Sequence, residues 1–118
     1  MKLEIRTQGV ELTDTLELHI RRRLSFALSR FSDRLRRVRV SIADTNGPKG
    51  GNDIHCKVKA ELNDHGDLII REVNHDPFAA VARAVERASQ SLGRRVARLR
   101  GRRRFARRRF TRARIVEG

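Results

Sequence analysis

The sequence predicts an α+β fold in which two helices cover one face of a four-stranded sheet, in the order β-α-β-β-β-α. Four short segments alternate apolar and polar residues, as strands do, and two longer segments repeat apolar residues every three or four positions, as amphipathic helices do. Each element has a single apolar face, so packing both helices against the same side of the sheet is the simplest way to bury them all. The other face of the sheet is then expected to be polar and solvated.

The first strand is predicted at residues 2–7, where Leu3 and Ile5 fall on one face. A helix is predicted to follow Thr13, whose hydroxyl can cap the first turn, and residues 32–34 are expected to end it. The apolar residues of this helix recur at helical spacing and form one stripe: Leu16, Ile20, Leu24, Ala27, Leu28 and Phe31.

Three further strands are predicted at residues 37–44, 54–62 and 68–73. The middle one alternates almost without interruption, which places Cys56 on its inward side. The Gly and Pro residues between positions 45 and 53 predict a flexible loop. Gly66 is expected to adopt a positive φ in a hairpin turn at residues 63–67.

The second helix is predicted to begin at Pro77, with Asp76 as its N-cap. Gly93 and Gly101 each cost this helix about 1 kcal/mol relative to Ala, so they are expected to be weak points. The apolar stripe nevertheless continues past Gly93, and the first part of the basic end is expected to be helical. That stripe consists of Phe78, Val81, Val85, Ala88, Leu92, Val96 and Leu99.

The positive charge is concentrated at the end of the chain. The 118 residues carry a net charge of +14, of which residues 94–118 contribute +11 through twelve Arg and one acid, Glu117. Residues 1–93 are nearly balanced, with a net charge of +3. We therefore expect a folded domain at residues 1–100 and an Arg-rich arm at residues 101–118, which is flexible when the protein is free.

A polyanion is the expected partner, because nothing within the arm balances its charge. A membrane is the weaker candidate, since the arm has few large apolar residues and the chain has no Trp or Tyr. No helix-turn-helix, zinc finger or zipper indicates sequence-specific DNA binding, and no predicted sheet face carries aromatic residues for base stacking. Structured RNA, held through its shape and its phosphates, is the remaining class.

Nothing in the sequence favours an enzyme, a cofactor or a small-molecule substrate. The four His residues and Cys56 have no zinc-site spacing, although a metal site is the alternative interpretation. Lys49 lies in a Gly-rich loop that lacks the rest of a phosphate-binding motif, and a mobile connection is the simpler interpretation. One cysteine permits no internal disulfide and fits a reducing compartment, and no apolar run approaches the roughly 20 residues that span a bilayer. A soluble cytoplasmic protein is therefore expected.

The basic residues of the two helices are predicted to form one positive strip beside the arm. Arg83, Arg87, Arg94 and Arg98 follow one another at steps of four, seven and four and share one helix face. For Arg21–Arg23 an ordinary solvated surface is an equally good interpretation. The candidate RNA-binding residues are Arg21, Arg22, Arg23, Arg83, Arg87, Arg94, Arg95, Arg98, Arg102, Arg103 and Arg104.

Three stretches of the chain, taken in order, are similar to one known family. They are "VELTDTLELHIRRRL" at residues 10–24, "ADTNGPKGGNDIHCKVKAEL" at residues 43–62, and "DPFAAVARAVERASQSLGRR" at residues 76–95. They resemble the ribosome hibernation-promoting factor and ribosome-associated inhibitor family, whose members are also described as sigma-factor modulation proteins. Each motif alone is weakly specific, and their order makes the match fairly specific.

The resemblance implies a domain comparable to double-stranded-RNA-binding modules. It implies binding to the small ribosomal subunit and its rRNA, in the mRNA and tRNA channel, with translation blocked by occupancy under stress or in stationary phase. The family's basic helix positions are matched by Arg23, Arg87, Arg94 and Arg98, whereas the other candidates come from charge and helix phase alone. In place of the family's usual tyrosine this chain has Phe78, and in place of an acid it has Ala82.

Two questions stay open at this point. The chain has the Arg-rich arm where longer members of the family have a dimerisation domain, so the resemblance does not decide between pairing ribosomes and silencing single ones. A protein that condenses any RNA or DNA through its arm, without preference for ribosomes, is the alternative function. A permanent ribosomal protein is a third, weaker interpretation.

Overall fold

The computed structural model describes residues 2–44, 53–63 and 66–117, with side chains described up to residue 101. Most of the loop predicted at residues 45–53, with Lys49, and two residues of the predicted turn lie outside this description. The elements in chain order are β1 (Lys2–Gln8), α1 (Asp14–Leu28), a 3-10 helix (Ser29–Arg34), β2 (Leu35–Asp44), β3 (Ile54–Leu62), β4 (Asp67–Asn74) and α2 (Pro77–Glu117).

The four strands form one sheet in the order β1-β2-β3-β4. β1 pairs with β2 in parallel, whereas β2, β3 and β4 form an antiparallel meander. α1 supplies the crossover that a parallel pair requires. One irregularity interrupts the register: Leu35 pairs with Leu62 and Arg37 with Glu61, so that Arg36 is the extra residue of a bulge.

The core lies between the two helices and one face of the sheet, which confirms the predicted fold class. Val40 and Val58 pair across β2 and β3 and are fully buried, and they belong to the same cluster as Ile20 of α1 and Val81 of α2. Burying apolar area of this kind stabilises the domain by about 25 cal/mol per Å². No charged or polar side chain is buried in the part of the chain that the structure describes.

The predicted helix starts and the predicted turn agree with the structure. Thr13 Oγ1 accepts a hydrogen bond from the Leu16 amide at 3.1 Å, and Asp76 Oδ1 accepts one from the Phe78 amide at 3.0 Å. Gly66 adopts φ +77°, and its carbonyl accepts a hydrogen bond from the Leu62 amide. These short-range contacts explain why local sequence signals located the helix starts well.

The ends of the helices differ from the sequence interpretation. α1 ends at Leu28 and tightens into the 3-10 helix, whose i→i+3 bonds use carbonyl groups that an α-helix end leaves unpaired. α2 runs through Gly93 and Gly101 to Glu117 without a break. Gly93 packs beside Arg30, whose Nη2 would lie 3.6 Å from an added Cβ, an ordinary contact distance. Flexibility of the arm in the free protein stays a prediction.

The structure offers no candidate for a membrane-spanning helix within the residues it describes. α2 is the longest helix, at 41 residues, and its second half is dominated by arginine.

Candidate RNA-binding surface

A groove runs along the seam between α1 and α2 and continues beside the 3-10 helix. It consists of three adjoining cavities of about 510, 390 and 240 Å³. Arg23 and Phe26 line both the first and the middle cavity, and Arg30 lines both the middle and the third. We call this feature the interhelical groove. Its arginines are Arg22, Arg23, Arg30, Arg34 and Arg100, and its aromatic residues are His19, Phe26, Phe31 and Phe78.

Small side chains and two polar contacts hold the helices on either side of the groove. Ser89 Oγ of α2 donates a hydrogen bond to the Ala27 carbonyl of α1 at 3.2 Å. His19 Nε2 lies 3.1 Å from the Phe78 carbonyl oxygen, a contact in which this nitrogen donates its hydrogen. The His19 and Phe78 rings also pack together, with their centroids 5.0 Å apart. The groove is therefore a built feature of the helix pair.

The positive charge in the interhelical groove is almost uncompensated. Within the described structure, none of its five arginines makes an ion pair with a carboxylate. The Arg30 guanidinium stacks on the ring of Phe31 at 4.5 Å from the centroid, an arrangement that leaves its charge available. Glu86 is the one acidic side chain among the residues that line the three cavities. Such a surface suits a phosphate-bearing ligand.

Arg21 differs from its two neighbours on α1. Its guanidinium makes hydrogen bonds to Glu17 Oε1 through Nε and Nη2, at 3.2 and 3.0 Å. Both side chains are exposed, and the pair has the i,i+4 spacing of a helix-surface ion pair. Of the three consecutive arginines, Arg22 and Arg23 line the groove, whereas Arg21 is compensated outside it.

The arginines of the predicted strip on α2 are not among the residues that line the three cavities. Arg87 Nη1 donates to Glu72 Oε1 and to the Arg71 carbonyl of β4, both at 2.8 Å. Arg95 reaches the Asp67 carbonyl at the start of β4, at 3.4 Å. Arg94 donates to Ser91 on its own helix. Arg83 and Arg98 follow at helical steps, so we call these residues the α2 outer stripe: Arg83, Arg87, Arg94, Arg95 and Arg98.

One continuous positive strip across both helices stays a prediction. α2 packs over β3 and β4 and meets α1 through Ala82 and Ser89, and the side chains of Arg87 and Arg95 contact β4. For Arg102–Arg104 the structure describes helical backbone but no side chains.

The open face of the sheet carries many charges, and ion pairs compensate several of them. Glu4 accepts a hydrogen bond from Arg39 Nε at 2.9 Å and lies 3.6 Å from Arg37 Nε. Glu61 lies within 4 Å of basic groups on Arg37, Arg36 and Lys59. The hydrogen bond from Arg39, helped by the nearby positive charges, lowers the pKa of Glu4 below its ordinary value. This face is polar, as predicted.

Two apolar side chains are exceptions on that open face. Ile69 and Val73 of β4 are 44% and 52% exposed. They alternate with charged neighbours and do not form a continuous apolar patch of the kind that marks a binding site.

Sequence reasoning missed four residues of the interhelical groove: Phe26, Arg30, Arg34 and Arg100. Phe26 lies off the apolar stripe of α1, and an aromatic residue on a polar helix face is the signal that could have found it. The three arginines belong to the 3-10 helix and α2, and only the packing of those helices brings them together. In the described ranges, no three His, Cys, Asp or Glu side chains converge as metal ligands would.

Comparisons with known proteins agree with this fold. The family model described as Sigma 54 modulation protein / S30EA ribosomal protein matches residues 3–100. The N-terminal domain of Thermus thermophilus Protein Y has a similar fold, with a TM-score of 0.64 at 21% identity over 80% of this chain and 98% of that one. A ribosomal subunit interface protein from Coxiella burnetii gives a TM-score of 0.68 at 13% identity over 82% and 99%. No curated protein matches the sequence.

Proposed function

The chain belongs to the Sigma 54 modulation protein / S30EA ribosomal protein family, and from this premise we propose that it is a ribosome hibernation factor. It binds the small ribosomal subunit in the channel that mRNA and tRNA use, and it stops translation by occupying that channel when growth stops. No bond is made or broken. The cytoplasm, where ribosomes work, is its place of action.

The observation that carries this proposal is the uncompensated charge of the interhelical groove. Five guanidinium groups line its three cavities, and Glu86 is the one acidic side chain among the described residues that line them. Phosphates of folded rRNA would release counterions when they replace solvent there, which gives affinity that falls steeply with salt. The folded domain adds a fixed shape, and shape is what distinguishes a structured RNA site from an arbitrary polyanion.

Sedimentation of the full chain with purified ribosomal subunits tests the proposal. We expect the protein to pellet with small subunits and not with large ones, and to stay bound when bulk tRNA or heparin is added. We also expect subunits that are already filled with mRNA and initiator tRNA to exclude it, because both ligands use the same channel. If heparin releases the bound protein as readily as added free small subunits do, at equal phosphate concentration, the proposal is contradicted.

A charge-matched pair of variants tests the role of the groove. We expect Arg22→Gln, Arg23→Gln and Arg30→Gln together to weaken small-subunit binding at least about 10-fold and to reduce the salt slope by about 2–3. The control removes the same charge from the open sheet face through Lys2→Gln, Lys57→Gln and Arg71→Gln. Equal losses in the two variants would mean that net charge, and not the groove, determines binding.

The composition of the arm favours one rival function, a general nucleic-acid condensing protein. Residues 94–118, which include the arm, contribute +11 of the net charge and would bind any duplex. In that case the groove variant would bind small subunits as the wild type does, since the arm alone would hold the RNA. The charge-matched pair therefore separates the two functions.

A further inference from the structure

Phe26 is the most exposed large apolar residue of the described structure, at 92%. It lies on the polar side of α1, away from the core stripe that ends at Leu28. A single exposed apolar residue is ordinary on a protein surface. The position of this ring is what distinguishes it, because it lines both the first and the middle cavity of the interhelical groove and forms the ridge between them.

The middle cavity beside this ring has an apolar wall and a polar rim. Ala27 of α1 and Ala82 and Val85 of α2 form the wall, while Ser89 and Gln90 supply hydrogen-bonding groups. At about 390 Å³ it falls within the range of about 300–1,000 Å³ that is typical of small-ligand pockets. A flat heterocycle stacked on Phe26 would cover the ring with its face and reach the polar rim with its edge.

The third cavity, next along the groove, is suited to an anion. Arg30, Arg34 and Arg100 line its walls, and no carboxylate does so among the described residues. Arg30 also lines the middle cavity, so the anion site and the stacking site adjoin each other. A guanidinium group presents paired donors that match phosphate oxygens.

We propose that the interhelical groove binds one unpaired nucleotide of RNA, with its base stacked on Phe26 and an adjoining phosphate held by Arg30, Arg34 and Arg100. This rests on the proposed function and deepens it, because it specifies which part of the rRNA the groove contacts. A base inside a duplex has no free face, so the groove selects a bulge, a loop or a strand end. The five arginines that line the groove favour RNA over an apolar protein segment as the occupant.

The absence of Trp and Tyr from the chain allows a direct test. Phe26→Trp introduces one indole at an exposed position, where folding should tolerate it. We expect a short single-stranded oligouridylate at low salt to quench most of its emission, because a stacked base quenches indole fluorescence. An abasic ribose-phosphate chain of equal length has the same charge and should leave the emission nearly unchanged. Val73→Trp on the open sheet face is the control and should not respond to either chain.

Each other outcome contradicts the proposal. Equal quenching by both chains would mean that charge alone brings RNA near the ring, and equal quenching at both tryptophan positions would mean non-specific contact. If oligouridylate does not quench the emission, no base stacks on the ring. If small subunits shift the Phe26→Trp emission to the blue without quenching it, an apolar protein surface covers the ring instead.

Substitution on the ribosome supplies an independent measurement. We expect Phe26→Ala and Phe26→Leu each to weaken small-subunit binding about 5- to 100-fold, whereas Phe26→Tyr retains it, because stacking needs an aromatic face. Full rescue by leucine would indicate simple apolar packing and would overturn the proposal. Should the wild type pellet with small subunits while the indole stays unquenched, the nucleotide proposal fails and the proposed function stands.

Discussion

At the scale of the single residue, folding strongly changes the pKa of the Cys56 thiol. It is buried in β3 and pairs across the sheet with Glu72 of β4. Burial raises the pKa of the Cys56 thiol from 9.0 to about 12, and the negative charge of Glu72 acts in the same direction. A buried, protonated thiol is a small apolar core residue and a poor nucleophile.

We therefore expect Cys56 to resist alkylation in the native protein. The difference between 9.0 and about 12 leaves the folded state about a thousandth of the thiolate found in the unfolded chain at neutral pH. Iodoacetamide labelling at pH 8, followed by mass spectrometry, should be slow for the native protein and fast in guanidinium chloride. Similar rates in the two conditions would show that the thiol is accessible.

The same shift predicts an alkaline loss of stability. The folded state favours the protonated thiol, so this contribution is complete below pH 9 and is lost as the pH rises towards 12. Urea unfolding of the wild type and of Cys56→Ala at several pH values checks this, because the difference between the two proteins should change only above pH 9. A difference that stays constant up to pH 11 would contradict the assigned pKa.

At the scale of the element, one ion pair joins α2 to the edge strand. Arg87 Nη1 lies 2.8 Å from Glu72 Oε1, and the Glu72 side chain is only 17% exposed. We expect Arg87→Gln to lower the free energy of unfolding by about 0.5–1 kcal/mol, near the top of the range for partly exposed pairs. Arg83→Gln on the same stripe is the control, and urea unfolding is the measurement.

The result also assigns a role to Arg87, for which two are possible. If Arg87→Gln leaves stability unchanged but weakens small-subunit binding, the residue contacts phosphate and the pair with Glu72 opens on the ribosome. If stability falls and binding does not, the residue holds the helix in place.

Local sequence signals predicted the elements well because their causes are local. β3 occupies the predicted residues 54–62, and both N-caps lie at the predicted Thr13 and Asp76. The way α1 ends and the passage of α2 through Gly93 depend on tertiary packing, which outweighs helix propensity. The same holds for the site, because only the fold shows that Arg87 and Arg95 contact β4.

At the scale of the whole molecule, charge is divided between compensated and uncompensated surfaces. Ion pairs compensate part of the charge on the open sheet face, Arg87 of the α2 outer stripe pairs with Glu72 of β4, and the interhelical groove is left cationic. The groove ends at Arg100, where the Arg-rich arm begins. A helix of 41 residues is about 60 Å long, and the molecule measures 74 Å along its longest axis. The arm thus extends the groove's charge well beyond the domain.

This arrangement predicts that the arm adds affinity without adding specificity. Replacing Arg102–Arg104 and Arg107–Arg109 with Gln should weaken small-subunit binding and reduce the salt slope by up to about 5. Fewer phosphates are then neutralised, so binding releases fewer counterions. Preference for small subunits over bulk tRNA should survive, since the groove supplies it. The matched control replaces the same six residues with Lys, which keeps the charge and should restore most of the slope. An unchanged salt slope in the Gln variant would mean that the arm does not contact RNA in the complex. Loss of the preference for small subunits would mean that the arm, and not the groove, recognises the ribosome.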